Sequence, residues 1–402
     1  MEYRVCRNTP APYNDLNGKI SLLGLGTMRL PLRDAADQTS IDEEKAQEIF
    51  DYAYAHGVNY FDTAYPYHGG TSEKFCGKAL AKYPRASYHL ASKLPGWLLK
   101  CDEDVPRIFN EQLANCRTDY FDFYLVHSVH ESSWSNYVKY HAYDQLNELR
   151  KAGKIKRLGF SFHGSAEQLA EILAAGDWDF VQLQLNYFDW DYQQSRKKYE
   201  LCAAAGLQVI VMEPVRGGKL ANLPAAAQEK LHALRPEASD ASWALRWVQE
   251  IPGVTMILSG MSNMAQMQDN LATFDHPEPL SAEEQALLLE IAEGFKSAVP
   301  CTACRYCCDG CPMGLNIPML LQVYNEMKFS PCTNVGMRVE ALPEDKRPAA
   351  CVGCGQCTRA CPQNIDIPTV LRDLDEELKK IPTWAEICRQ REEAARRARE
   401  AR

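Results

Sequence analysis

Residues 20 to 275 of this 402-residue chain carry eight short apolar runs, each separated from the next by helical patterning. The runs are ISLLGLG (20–26), VNYFDTA (58–64), YHLASKL (88–94), FDFYLVH (121–127), IKRLGFS (155–161), FVQLQLN (180–186), LQVIVMEP (207–214) and GVTMILSG (253–260). Several lack in/out alternation, as expected of parallel strands buried on both faces. Helix-start signals fall between them. Ser40 opens SIDE, a capping box before EKAQEIFDYAYAHG; Ser165 opens SAEQ before LAEILAAG, with Gly176 as a stop. Eight βα units over about 255 residues have the count and size of a (β/α)8 TIM barrel. An open doubly wound sheet would normally present GxGxxG after its first strand. The first strand here ends in GLGTMRL, which lacks the third glycine. Residues 1–275 are therefore read as an α/β barrel domain.

A short Pro-containing connector, HPEPL (276–280), follows, and Ser281 opens SAEE ahead of another helix, so 276–297 read as connector and linker helix. Residues 298–380 form an internal repeat at an offset of 50: CTACRYCCDGCPMGLNIPML at 301 and CVGCGQCTRACPQNIDIPTV at 351. Such similarity implies two related halves of one small, mainly helical domain. Residues 381–402 read as a polar C-terminal tail.

Sixteen cysteines require a compartment. The N-terminus has no apolar signal core, and no window of about 18 apolar residues could span a membrane. A cytoplasmic protein is expected, in which thiols stay reduced. Eight of the cysteines sit in the repeat with the spacing C-x2-C-x2-C-x3-C-P, at 301, 304, 307 and 311 and again at 351, 354, 357 and 361. Cys308 aligns with Thr358 and is the surplus thiol. A short looping run reaches three corners of an iron–sulfur cubane, and in two-cluster ferredoxins of this spacing the fourth cysteine serves the other cluster. The expected ligand sets are Cys301, Cys304, Cys307 and Cys361 for one [4Fe-4S] cluster, and Cys351, Cys354, Cys357 and Cys311 for the second. Zinc also takes four thiolates, but its sites typically pair two CxxC units. The helical patterning between the runs resembles the helical dicluster ferredoxins. A net charge of −9 and a pI near 5.6 argue against a nucleic-acid partner.

Barrel enzymes place their chemistry at the C-terminal strand ends. Those ends collect Asp62, Lys93, His127, Ser161, Asn186, Glu213 and Ser259, with Tyr67 in the loop after Asp62. A tyrosine hydroxyl titrates near pH ~10 in model peptides. A neighbouring cation favours its ionised form, so Lys93 would let it exchange a proton with a carbonyl oxygen. Asp62 would pair with Lys93, and His127 would hydrogen-bond the substrate oxygen. The plain alternatives are a structural Asp62–Lys93 pair and a satisfied buried histidine.

The segment GVNYFDTAYPYHGGTSE (57–73) resembles the aldo-keto reductase signature, as do SKL around Lys93 and DFYLVHS around His127. The resemblance covers about residues 18–275. It implies Tyr67 as proton donor, completed by Asp62, Lys93 and His127. The whole chain resembles the iron–sulfur subgroup, a reductase barrel with a C-terminal dicluster ferredoxin domain. The resemblance carries nucleotide contacts onto Ser161 and Gln182 for a nicotinamide carboxamide, Met212 at the position of a stacking aromatic, and Asp269 and Asn270 for adenine. Phe162 replaces the carboxamide-binding Asn, and Gly260 and Gln266 replace two cations for a 2′-phosphate. NAD(H) or NADP(H) remains open, and the lost charge-assisted bonds weigh against an NADP(H) preference. Arg216 in MEPVRGGKL is read as a phosphate cation or part of a sharp loop. Trp134 and Tyr137, in a long loop placed over the pocket, with Trp97 nearby, are read as substrate contacts or packing. The implied function is an oxidoreductase acting on a small-molecule carbonyl, with an external ferredoxin or flavoprotein as redox partner. The alternative is an electron-carrier subunit whose barrel is a docking scaffold. The remaining cysteines, 6, 76, 101, 116, 202, 308, 332 and 388, are read as mostly small buried hydrophobes.

Overall fold

The computed structural model describes residues 1–5, 18–35, 37–192, 194–294, 299–329 and 333–383, with residues 386 and 389. The chain divides into two compact units, Met1–Gly294 and Phe295–Arg402. Most of the tail 381–402, and Cys6, Cys332 and Cys388, lie outside the described residues.

The first unit opens with an antiparallel hairpin, β1 (Tyr3–Val5) and β2 (Lys19–Ser21). Eight parallel strands then close a barrel: β3 (Leu23–Gly26), β4 (Tyr60–Asp62), β5 (His89–Leu94), β6 (Phe121–Val129), β7 (Ile155–Phe162), β8 (Phe180–Gln184), β9 (Gln208–Met212) and β10 (Val254–Ser259). All eight apolar runs thus supply barrel strands. The first run is divided: Ile20 and Ser21 pair in the hairpin, and the barrel strand begins at Leu23. Asn186 and Glu213 lie just past their strand ends.

Side chains alternate in and out along each strand. Tyr60, Ala91, Phe123, Phe180, Ile210 and Met256 form one buried cluster within the barrel, joined by Ile20 from the hairpin. Phe61, Leu90, Tyr124, Val126, Val181 and Val211 belong to a second cluster shared with the helices. Strict alternation continues the inner set to Asp62, Lys93, His127, Ser161, Gln182 and Met212. The strand ends therefore turn their polar residues inward at one mouth.

Local signals hold with one exception. Ser165 caps Ala166–Ala174 by accepting from the Gln168 N–H. Ser281 and Glu284 form a reciprocal capping box at the start of Ala282–Gly294. This helix groups with the barrel unit, where Arg235 holds Glu284 and Lys230 holds Glu290. Ser40 is not a cap: its hydroxyl bonds the Asp34 and Asp37 carbonyls, and Asp42 caps the helix Glu43–Ala55. Among the described residues no helix is long and apolar enough to cross a membrane.

The second unit repeats its backbone as well as its sequence. Short helices Tyr306–Asp309 and Gln356–Arg359 correspond, as do Ile317–Phe329 and Ile367–Leu378. Left-handed residues recur at the same offset: Ala303 with Gly353, Arg305 with Gly355, and Gly314 with Asn364. Ile317, Leu320, Leu321, Ile367, Leu371 and Leu374 fill a shared core.

Tight packing in the barrel unit gives a simple test. A Cβ on Gly77 would sit 2.4 Å from the Asn115 carbonyl oxygen, against backbone that cannot move aside cheaply. Gly77→Ala should cost about 1–3 kcal/mol. An unchanged thermal or urea midpoint for the barrel would contradict this packing.

Candidate active site and cysteine cavities

The register of the central strands assembles the mouth. Asp62 pairs across from Ala91, which places Lys93 one inward position higher on β5. Lys93 in turn pairs across from Leu125, one inward position below His127 on β6. The Lys93 ammonium has three partners: it is ion-paired with Asp62, donates to the Thr63 carbonyl at 2.9 Å, and lies 3.4 Å from the Tyr67 hydroxyl. Its nitrogen also lies 4.9 Å from the centre of the Tyr67 ring. Lys93 and Asp62 are almost wholly buried, and Tyr67 is half-buried. Burial pushes the Asp62 carboxyl above the usual carboxylate range, opposed by Lys93. Burial likewise pulls the Lys93 ammonium down, opposed by Asp62.

Tyr67 follows β4 on a sharp turn in which His68, Gly69 and Gly70 all have positive φ. His127 stands edge-on to it, ring centres 5.9 Å apart, with the exposed Trp97 ring 5.2 Å away on another side. Burial first, then the Lys93 charge, hold the His127 imidazole well below its ordinary pKa, so it is neutral. The β6–β7 pairing slips between Val126 and Val129, and Ser128 takes a φ of +53°. This irregularity sits at the strand end carrying His127 and directs the Ser128 N–H onto Ser161 Oγ at 2.7 Å.

The surrounding support came mostly from residues that no strand-end reading selects. Tyr137 is buried; its hydroxyl contacts the His127 carbonyl at 2.5 Å and the Leu94 carbonyl at 3.0 Å, and accepts from the Gly96 N–H at 2.7 Å. It ties together the ends of β5 and β6 and is packing, not a substrate contact. Behind β5, the buried Glu73 accepts from Ser92 and Gln112, and Gln112 also donates to the Lys93 carbonyl at 3.1 Å. Glu73 lies inside the quoted 57–73 segment; the Thr63 carbonyl has no side-chain signal at all.

Around the rest of the rim, Ser161 and Gln182 are direct cross-strand neighbours. Gln182 Oε1 is buried without a hydrogen-bond partner, which fits an amide donor such as a carboxamide. Met212 is half-buried at the end of β9. Asp269 accepts from Ser239 at 2.7 Å, and the buried Asn270 donates to Ser259 at 3.0 Å. Gly260 packs against the stem of Arg29, whose guanidinium lies 3.5 Å from Glu213. Arg216 is not an open phosphate cation: its Nε donates to both Asp189 oxygens, at 3.0 and 3.1 Å.

In the second unit the two expected cysteine sets separate cleanly. One cavity is lined by Cys301, Cys304, Cys307 and Cys361, the other by Cys311, Cys351, Cys354 and Cys357. The crossed fourth cysteine is thus present in both. Four thiols line each cavity, the donor set that a [4Fe-4S] cubane takes. The surplus Cys308 accepts a hydrogen bond from the Ile317 N–H, as Thr358 Oγ1 does from the Ile367 N–H at 3.2 Å. Of the other thiols, Cys76, Cys116 and Cys202 are buried, whereas Cys101 is exposed.

Residues 22–293 match the aldo/keto reductase family, and residues 300–365 match the 4Fe-4S dicluster domain. The chain is 25% identical over 325 residues to the NADH-specific methylglyoxal reductase of Escherichia coli, covering 69% of this chain and 96% of that protein. It is 26% identical over 293 residues to L-galactose dehydrogenase of Arabidopsis thaliana, covering 67% and 89%. Among solved structures, the holo form of aldo-keto reductase AKR11C1 from Bacillus halodurans superposes with a TM-score of 0.58 at 24% identity, covering 72% of this chain and 96% of that one.

The neutral His127 predicts a pH signature in stability. Unfolded, an imidazole takes a proton below pH ~6.5; folded, His127 does so only at much lower pH. The unfolded state then binds more protons, so this contribution is present above pH ~6.5 and is lost as pH falls, approaching about 1.4 kcal/mol per unit. Denaturant unfolding should show the stability gap between wild type and His127→Asn shrinking between about pH 6.5 and 5.5. A gap that stays constant would mean the folded imidazole carries the proton.

Proposed function

Because the chain belongs to the aldo/keto reductase family and joins that barrel to a 4Fe-4S dicluster domain, we propose that this oxidoreductase reduces a carbonyl or related group of a small molecule at the Tyr67 mouth. The observation that carries the reading is the buried Lys93 ammonium, held by Asp62 and Thr63 and lying 3.4 Å from the Tyr67 hydroxyl.

The steps follow from these side chains. The Tyr67 hydroxyl gives its proton to the substrate oxygen, and the adjacent ammonium stabilises the phenolate left behind. Asp62 holds Lys93 in place and keeps its charge from being lost to the apolar barrel. Neutral His127 donates a hydrogen bond to the substrate oxygen and so orients the carbonyl toward Tyr67. Trp97 stands over His127 at the exposed edge, where it limits water.

Ser161 and Gln182 would hold the carboxamide of a nicotinamide, which supplies a hydride when bound. The absence of cations at Gly260 and Gln266 favours NAD(H) over NADP(H). Cys301, Cys304, Cys307 and Cys361 would hold one [4Fe-4S] cluster, and Cys351, Cys354, Cys357 and Cys311 the other; such clusters take up and release electrons singly. A cytoplasmic ferredoxin or flavoprotein is the external partner this chemistry calls for. The rival in which the barrel is only a scaffold leaves the buried Asp62–Lys93 pair and its contact with Tyr67 without a purpose.

Tyr67→Phe should lower turnover at least ~100-fold, the scale of acid–base catalysis, while leaving the fold intact. Unchanged turnover would refute the proton-donor role. Anaerobically purified protein should hold about eight irons and show broad absorbance near ~400 nm that dithionite bleaches. Zinc in place of iron would rule out the clusters.

A further inference from the structure

Three consecutive residues after Tyr67 take left-handed backbone: His68 at φ +51°, Gly69 at +59° and Gly70 at +87°. Glycine enters that region freely, whereas a side chain is strained there. Two of the three positions are glycine and the first is a histidine. The backbone gains nothing from an imidazole at 68, so the reason for it lies in what the ring touches.

The ring is buried, 7% exposed, and both of its nitrogens are engaged. Nε2 accepts from the Leu30 N–H at 3.2 Å, and Nδ1 donates to the Gln38 carbonyl at 3.0 Å. A nitrogen that accepts from an N–H carries no proton of its own, so this pairing fixes the neutral ring with its proton on Nδ1. Burial favours the same form and holds the imidazole below its ordinary pKa, against the pull of the Gln38 and Thr27 carbonyls.

Leu30 and Gln38 belong to the connection between β3 and the helix Glu43–Ala55, 38 and 30 residues before the turn. That connection folds back on itself: the Arg33 N–H donates to the Ser40 carbonyl and the Asp42 N–H to the Pro31 carbonyl, both at 2.8 Å. The ring is therefore anchored to braced backbone. The connection starts at Thr27, whose N–H and hydroxyl both donate to the Asp62 carbonyl at 2.9 Å. The stretch Thr27–Leu30 thus fixes the end of β4 directly and, through His68, the turn that carries Tyr67. Thr71 closes that turn, its hydroxyl donating to the His68 carbonyl at 2.8 Å. The precision matters, because the Tyr67 hydroxyl lies 3.4 Å from the Lys93 nitrogen, at the outer edge of hydrogen-bond range. A drift of the turn by ~0.5 Å would break the contact.

We propose that His68 is a positioning residue for Tyr67: its two ring hydrogen bonds, to Leu30 and Gln38, set the turn so that the phenol hydroxyl meets the Lys93 ammonium. This rests on the reading of Tyr67 as proton donor. His68 acts through the backbone alone, and no proton passes through its ring.

The test compares wild type with His68→Gly and His68→Asn as iron-loaded full-length protein. Glycine suits the left-handed backbone and removes both ring bonds, so the fold should survive while the anchoring is lost. In protein isotope-labelled at the tyrosine Cζ, the Tyr67 resonance is the one missing from Tyr67→Phe. In His68→Gly this resonance should move or broaden, and the Leu30 amide should exchange at least ~10-fold faster. With methylglyoxal and NADH as the probe pair, kcat should fall at least ~10-fold while KM stays within ~2-fold. Asparagine tolerates the left-handed backbone and keeps a donor for the Gln38 carbonyl, so His68→Asn should lie between wild type and His68→Gly. A Tyr67 resonance unmoved in His68→Gly would overturn the assignment, even with faster Leu30 exchange, because the ring would then hold only the connection. That resonance decides the matter whether or not methylglyoxal is turned over. A Tyr67→Phe enzyme as active as wild type would overturn the proton-donor reading and this proposal together.

Discussion

The barrel mouth is organised around one buried charge, the Lys93 ammonium. Taking an ammonium and a carboxylate out of water costs several kcal/mol per ion, so such a pair persists only where its hydrogen bonds and surroundings hold it. Lys93 meets that demand with three oxygen partners: Asp62, the Thr63 carbonyl and Tyr67. Asp62 is less well served, because its second oxygen has no partner among the described residues. Apolar residues of similar volume would avoid this expense. A charge kept at such a cost beside a tyrosine hydroxyl is the feature on which the proposed proton transfer rests.

The geometry around that charge is held from two sides. Behind β5, Glu73 and Gln112 grip Ser92 and the Lys93 carbonyl, and Tyr124 closes the network by donating to Gln112 at 2.5 Å. Above it, Tyr137 fastens the Leu94 and His127 carbonyls with one hydroxyl. Neither group touches the mouth. Both fix backbone, and fixed backbone holds the ammonium and the imidazole beside Tyr67. The cysteine unit solves a comparable problem by duplication: each half shapes a loop with left-handed residues and lends its last cysteine to the other cavity.

Much of this was legible along the chain, for reasons that can be named. The eight strands announce themselves because a parallel strand covered on both faces must be apolar throughout. The two cysteine sets that line the cavities are legible because each run has the same fixed spacing and the repeat exposes Cys308 as the odd thiol. Asp62, Lys93 and His127 stand out because ionisable residues rarely end consecutive buried strands by accident. Ser40 misled because a capping box is a local pattern, while the Asp34 and Asp37 carbonyls, brought back by the turn, outcompete the helix for its hydroxyl. Arg216 and Tyr137 stayed open between two readings because the partners that decide, Asp189 and the Leu94 and His127 carbonyls, lie 27, 43 and 10 residues away.

By itself the sequence determined the barrel, the two crossed cysteine sets and which polar residues end the central strands, since these depend on periodicity, spacing and residue type, which are properties of the chain in one dimension. Tertiary structure alone decided that the Thr63 carbonyl completes the shell of Lys93, that Glu73 and Tyr137 brace it, that Arg216 is already paired, and that His68 reaches Leu30 and Gln38. Those outcomes depend on strand register and on which backbone groups meet across the fold. Backbone carbonyls are the same in every residue, so no pattern of side chains could have marked them in advance.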